Sequence, residues 1–133
     1  MRYVAFIHKG DDSAYDVSFP DFPGCVSAGD SLDAALANSS VALQGHVAMM
    51  EADGDRVPPP RALDAIMKDD DLADERDGAV ISVVPLLRDR GSTTRINVSL
   101  DLGLLEAIDA AARSRKQTRS AFLASAARRE LVE

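Results

Sequence analysis

The sequence holds a single cysteine, Cys25, so no disulfide can close within one chain and no thiolate cluster can bind a metal. A lone cysteine of this kind reads as a small buried hydrophobe, and a reducing cytoplasm is the expected setting. Long apolar runs are missing too. The run Tyr3 to Ile7 is too short for the core of a secretory leader, and nothing approaches the ~20 apolar residues of a membrane span, so no membrane partner is expected. The histidines, His8 and His46, lie far apart without metal-site spacing and read as structural or surface imidazoles. No glycine-rich phosphate loop and no nucleophile–base pair is present. The stretch "DDDLADERDG" fails as a calcium loop because Ala73 stands at its third ligand position. No catalytic residue, metal or cofactor is therefore expected, and the chain is not read as an enzyme.

What is present divides in two. Residues 1–90 carry 17 acidic against 8 basic side chains, a net of −9, while residues 91–133 carry 5 against 7, a net of +2. Such asymmetry implies two modules with different partners. The first should attract something basic, and the second can approach a phosphate backbone.

In the first module "RYVAFIHK" alternates Tyr3, Ala5 and Ile7 with Val4, Phe6 and His8, which predicts a strand. "GDD" at 10–12 supplies a hairpin turn, "AYDVSFP" a second strand stopped by Pro20, and "CVSA" a short third one. Asp30 or Ser31 can cap a helix whose apolar positions are Leu32, Leu36, Ser40, Leu43, Val47 and Met50, running to about Ala52 before Gly54. A proline run and a short helix follow, then an acidic stretch expected as a solvated loop. "AVISVVPLL" is an unbroken apolar strand, expected in the centre of its sheet. "RDRGSTT" is the link to the second module.

Beyond the link, Arg95, Asn97 and Ser99 alternate with Ile96, Val98 and Leu100, predicting a strand with one wet and one dry face. Two helices follow, one capped by Asp101, the other by Thr118, with Arg113, Arg115, Lys116 and Arg119 around the turn between them. A module of about 43 residues with one strand is too small to stand alone. Two copies pairing their strands antiparallel would bury Ile96, Val98 and Leu100 in a dimer core. Arg95, Asn97 and Ser99 would then form a flat polar face. Such a ribbon fits the major groove, where Arg bridges guanine O6 and N7 and Asn bridges adenine N6 and N7. Thr118, Arg119 and Ser120, at the start of the second helix, are placed for phosphate contacts.

The order strand, helix, helix, with "RINVSLD" leading and "TRS" opening the second helix, resembles the ribbon-helix-helix family of bacterial repressors over residues 93 to about 131. The first module resembles HicB antitoxins over residues 3 to about 88. Phe19, Pro20, Asp21, Pro23, Gly24 and Cys25 match their turn motif, and "GDSLDAAL" matches their helix start. These resemblances imply a partial RNase H-like fold, a HicA-type mRNA-cleaving toxin as partner, and repression of a shared promoter. Phe22, Pro23 and Gly24 read either as a structural turn or as a partner-facing loop, in which an exposed Phe between two prolines is a preorganised anchor; Asp21, Phe22 and Pro23 are accordingly the candidate toxin contacts.

The expectation is thus an α+β protein of two domains. Residues 1–90 form a partial RNase H-like ββ(β)αβ toxin-neutralising domain. Residues 91–133 form a ribbon-helix-helix (βαα) domain that dimerises, possibly into a tetramer, and binds double-stranded operator DNA. The protein is expected in the bacterial cytoplasm. The alternatives are a ribbon-helix-helix repressor whose first domain senses a small ligand, and a metal-dependent nuclease.

Overall fold

The computed structural model describes all residues except Asp12, Asp89, Arg90 and Glu133, and of Val132 only the backbone. Part of the expected hairpin turn (Asp12) and of the expected link (Asp89, Arg90) therefore lies outside the described residues. The chain divides into two compact units, Met1–Arg88 and Asp89–Glu133.

The first unit is built on four antiparallel strands, β1 (Arg2–Lys9), β2 (Tyr15–Ser18), β3 (Val26–Gly29) and β4 (Val80–Pro85), in the order β3-β2-β1-β4. The alternation in the sequence becomes two faces. Tyr3, Ala5, Ile7, Val17 and Val84 point to one side, and Val4 and Phe6 to the other. Helix α1 (Leu32–Ala52) covers the first side with Ala35, Leu43 and Val47. The Ser31 hydroxyl caps it, accepting from the Ala34 amide at 3.1 Å. Gly54, in the left-handed region at φ 77°, ends it. Leu32, expected on the buried stripe, is exposed in the first turn. At the other end of the contact, a Cβ on Gly29 would overlap the backbone of Ala35, so only glycine lets β3 lie this close to α1.

The second side is covered by α2 (Leu63–Lys68), a 3₁₀ turn (Asp70–Leu72) and α3 (Ala73–Arg76). Ile66 is fully buried against Val4 and Phe6. The acidic stretch is therefore folded into short helical turns and is not the expected loop, although Asp70, Asp71, Asp74 and Asp77 are exposed as expected. Asp69 caps the 3₁₀ turn through the Asp71 amide at 3.0 Å. Arg76 Nη1 donates to the carbonyls of Ile66 (2.9 Å) and Asp69 (2.7 Å), fixing α2 and α3 to each other. The apolar run 79–87 also departs from expectation, because β4 pairs only with β1 and is an edge strand. An unbroken apolar run is expected where both faces of a strand are covered, yet Val80 and Val83, on opposite faces of β4, are exposed. Such a run carries no information on whether both edges are paired.

Candidate functional site

In the second unit, residues 93–101 form no strand, and every residue from 91 to 104 is exposed. Ile96 is 78% and Val98 60% exposed, and Leu100 lies open as well. A single strand has no ladder partner in one chain, so the alternating row stands with both edges unpaired. Arg95, Asn97 and Ser99 lie along this row.

The helical hairpin behind it is complete in its local chemistry. In α4 (Leu102–Ser114), Asp101 is the cap, its carboxylate accepting from the Leu104 amide at 3.2 Å. Lys116 takes the left-handed conformation (φ 55°) in the turn, and the Gln117 amide closes on Ala112 O at 2.8 Å. Thr118 caps α5 (Arg119–Val132), its hydroxyl accepting from the Ala121 amide at 3.1 Å. Packing is far less complete. Among the apolar positions of the two helices whose side chains are described, only Ile108 and Ala112 are buried. Phe122 and Leu123 are half-buried, while Leu104, Ala126, Ala127 and Leu131 lie open.

The candidate phosphate contacts differ in availability. Thr118 Oγ1 is used in the cap and Ser120 is exposed. Arg119 is held by Asp109 on α4, with Nε to Oδ1 and Nη2 to Oδ2 both at 2.8 Å. The hydrogen bonds from Arg119 hold the Asp109 carboxyl below its usual range, and the same pairing raises the guanidinium. Arg115 lies over the Phe122 ring at 5.3 Å, so its stem and charge cover an aromatic face. Asp109 was not singled out by the sequence. Its position, ten residues before Arg119 across a helical turn, is the only trace it leaves there.

In the first unit the turn motif proves to be a folding device. The Asp21 side chain is 2% exposed and accepts from Arg61 Nε at 2.6 Å and from the Arg61 amide at 3.1 Å. Arg61 also reaches Asp69 at 3.0 Å. Phe22 is buried, edge-on to Tyr3 (ring centroids 4.7 Å apart) and to His46 (5.9 Å). Tyr3 donates to Pro58 O at 2.6 Å, and burial, then Asp21, pushes its hydroxyl pKa up. The turn therefore clamps the proline segment 57–61 over the open end of the core. The side chains of Asp21 and Phe22 are thus internal in the free chain, and of the three candidate toxin contacts only Pro23 lies at the surface. Cys25 is buried, and burial raises its thiol pKa, as a packing role requires.

His8 Nε2 bonds the Glu75 carbonyl at 2.7 Å, and Ser18 donates to the Glu75 carboxylate at 2.8 Å. Beside them a depression lined by His8, Asp16, Ser18, Val26 and Ala28 lies open on the sheet face away from α1. Among the described residues no group of three or more His, Cys, Asp or Glu is placed to hold a metal ion. No helix among them is long and apolar enough to cross a membrane.

The architecture is an antiparallel α+β unit whose F-P-D-F-P-G-C turn buries Phe19, Phe22 and Cys25, followed by a helical hairpin. Residues 3–127 match the family described as HicB-like antitoxin of bacterial toxin-antitoxin system. The chain belongs to that family. It is similar to the crystal structure of the Burkholderia pseudomallei antitoxin HicB, at 36% identity, covering 98% of both chains, with a TM-score of 0.58. It is also similar to a chain in the HicA3 and HicB3 toxin-antitoxin complex, at 28% identity over 67% of this chain and 99% of that one, with a TM-score of 0.53. A 14.9 kDa protein of the rep-hol intergenic region of Haemophilus phage HP1 (strain HP1c1) is 32% identical over 136 residues, covering 99% of this chain and 98% of that protein.

Proposed function

We propose that this chain neutralises a HicA-type mRNA-cleaving toxin with its first domain, residues 1–90, and represses its own operon with its second, residues 91–133. The first domain reads as a partial RNase H-like fold, the second as a ribbon-helix-helix module. The observation that carries the DNA-binding half is the exposed alternating row Arg95–Leu100, followed by a helical hairpin that leaves Leu104 and Leu131 uncovered. A second copy supplies both missing parts. The strands pair, Ile96, Val98 and Leu100 enter a shared core with Leu104 and Leu131, and Arg95, Asn97 and Ser99 form the base-reading face. Thr118, Arg119 and Ser120 meet the phosphates, with Arg119 exchanging Asp109 for the backbone of double-stranded operator DNA.

The toxin half is supported by family membership, by the similarity to a chain in a toxin-antitoxin complex, and by the net charge of −9 over residues 1–90. A toxin that cleaves RNA carries a basic surface, and an acidic domain complements it and speeds association. Pro23 is the surface point of the turn from which such contact begins.

Co-expression with the cognate toxin tests the division of labour. Residues 1–90 are expected to restore growth and the tail alone is not. A tail that rescues while residues 1–90 do not reverses the assignment. The cognate toxin is expected as a small basic protein encoded in the neighbouring reading frame.

A further inference from the structure

Two helices of this chain end in the same double closure, and the residue at its tightest point differs between them. At the end of α1 the Gly54 amide bonds Glu51 O at 3.2 Å and the Asp55 amide bonds Met50 O at 2.9 Å. At the end of α4 the Lys116 amide bonds Arg113 O at 3.1 Å and the Gln117 amide bonds Ala112 O at 2.8 Å. This closure needs one left-handed residue, and glycine supplies it with no Cβ in the way. Gly54 stands there at φ 77° in the first case, and Lys116 at φ 55° in the second. A lysine so placed crowds its Cβ against the backbone, and it lacks the short polar side chain with which asparagine compensates. Among the described residues, Ser13 alone shares this departure, the other left-handed positions being glycines.

Nothing inside the second unit explains the strain. Lys116 is exposed, and among the described residues no hydrogen bond, ion pair or ring contact holds its ammonium. The arginines around it are all engaged. Arg119 bonds both carboxylate oxygens of Asp109, Arg113 lies in the field of the same carboxylate, and Arg115 lies over the Phe122 ring. Lys116 is also the one lysine of residues 91–133. A compact ammonium on a flexible stem binds phosphate as a point charge, whereas base edges call for a planar fork or a carboxamide. We infer that Lys116 is the standing phosphate-binding cation of the second domain. It is kept in a left-handed turn, against the stability of the hairpin, to offer an uncommitted charge to the backbone of duplex DNA beside the start of α5. Arg119 must first leave Asp109, while Lys116 displaces nothing, so it makes the first, sequence-independent contact. The inference rests on the DNA reading of this domain.

The test compares three substitutions in the full chain by thermal unfolding at equal concentration and by titration of operator and scrambled DNA at two salt concentrations. Lys116→Gly removes the strain and the charge together. It is expected to raise the unfolding midpoint of the second domain by several degrees. It is also expected to weaken both DNAs by the same factor and to lower the log–log salt slope by about one unit for each chain bound. Lys116→Ala keeps the strain, and should lose the same DNA binding without the gain in midpoint. Lys116→Arg keeps both strain and charge, and should match the parent in both measurements. A glycine variant with the parental slope and affinity overturns the inference. So does one that melts below the parent, since the lysine would then hold the turn, and so does an arginine variant that binds DNA as weakly as the glycine one. A parent chain that binds neither DNA overturns the DNA reading itself, and this inference with it, an outcome distinct from the other three.

Discussion

Arg119, the first residue of α5, is bonded through two nitrogens to both carboxylate oxygens of Asp109 on α4. The pair lies exposed at the end of the hairpin where the basic residues gather. It gives this cation a partner that any phosphate must displace. Arg119 is thus a brace between two helices, and in the proposed DNA reading it is a phosphate contact held in check.

Replacing Asp109 with Asn is expected to strengthen binding to DNA of any sequence and to steepen the salt dependence by about one unit of log–log slope. Arg119→Ala is expected to do the reverse, weakening all sequences alike. Titrations on operator and scrambled DNA at two salt concentrations measure both. Slopes unchanged in both variants mean that the guanidinium stays on Asp109 when DNA is bound.

The same pair has a pH signature. Arg119 lowers the Asp109 carboxyl below its ordinary 3.8 in the folded chain. Its contribution to the hairpin is therefore complete above that ordinary value and is lost as pH falls through the lowered one. An acid titration of the Asp109 carboxyl by NMR is expected to give a midpoint below 3.8 in the parent chain. In Arg119→Ala it is expected to return to the ordinary value. A midpoint unmoved by that substitution means the pair does not persist in solution.

Base reading should show as a loss confined to operator DNA. A bidentate base contact is worth about 1–3 kcal/mol, so Arg95→Ala or Asn97→Ala is expected to reduce operator affinity about 5- to 150-fold per contact. Two-fold symmetry can double the free-energy loss. Binding to scrambled DNA should change little for Asn97→Ala, which removes no charge. Gel-shift titrations check this, and parental affinity in both variants would reduce the row to a wet edge.

The turn motif predicts stability rather than recognition. Phe22→Ala removes a buried ring held between Tyr3 and His46 and is expected to cost about 3–5 kcal/mol. Asp21→Asn is expected to cost less, about 1–3 kcal/mol, because its partner Arg61 is more than one-third exposed and regains water. Urea unfolding of the full chain measures both. Pro23→Ala should leave stability nearly unchanged and weaken toxin binding, which separates the surface point of the turn from its interior.

Much of this was legible in the sequence because it is local. Period-two alternation placed β1 and β2, and the spacing of Leu36, Leu43, Val47 and Met50 placed the helix α1 and its apolar face. Ser31, Asp101 and Thr118 cap the helices they were expected to cap, since a cap needs only the amides two or three residues ahead. The tertiary structure alone decided what depends on residues distant in the chain. Phe22 reads as an exposed anchor between two prolines until Tyr3 and His46 close on it from other elements. The acidic run reads as loop until Arg76 and the caps of Asp69 draw it into turns. Arg61 and Asp109 become notable only through the partners the fold brings them. The apolar run of β4 reads as a central strand, but edge or centre is settled by chain order in space, which hydrophobicity does not encode. Even the row Arg95–Leu100 shows the same division. Its alternation is written in one chain, and the strand it describes needs a second.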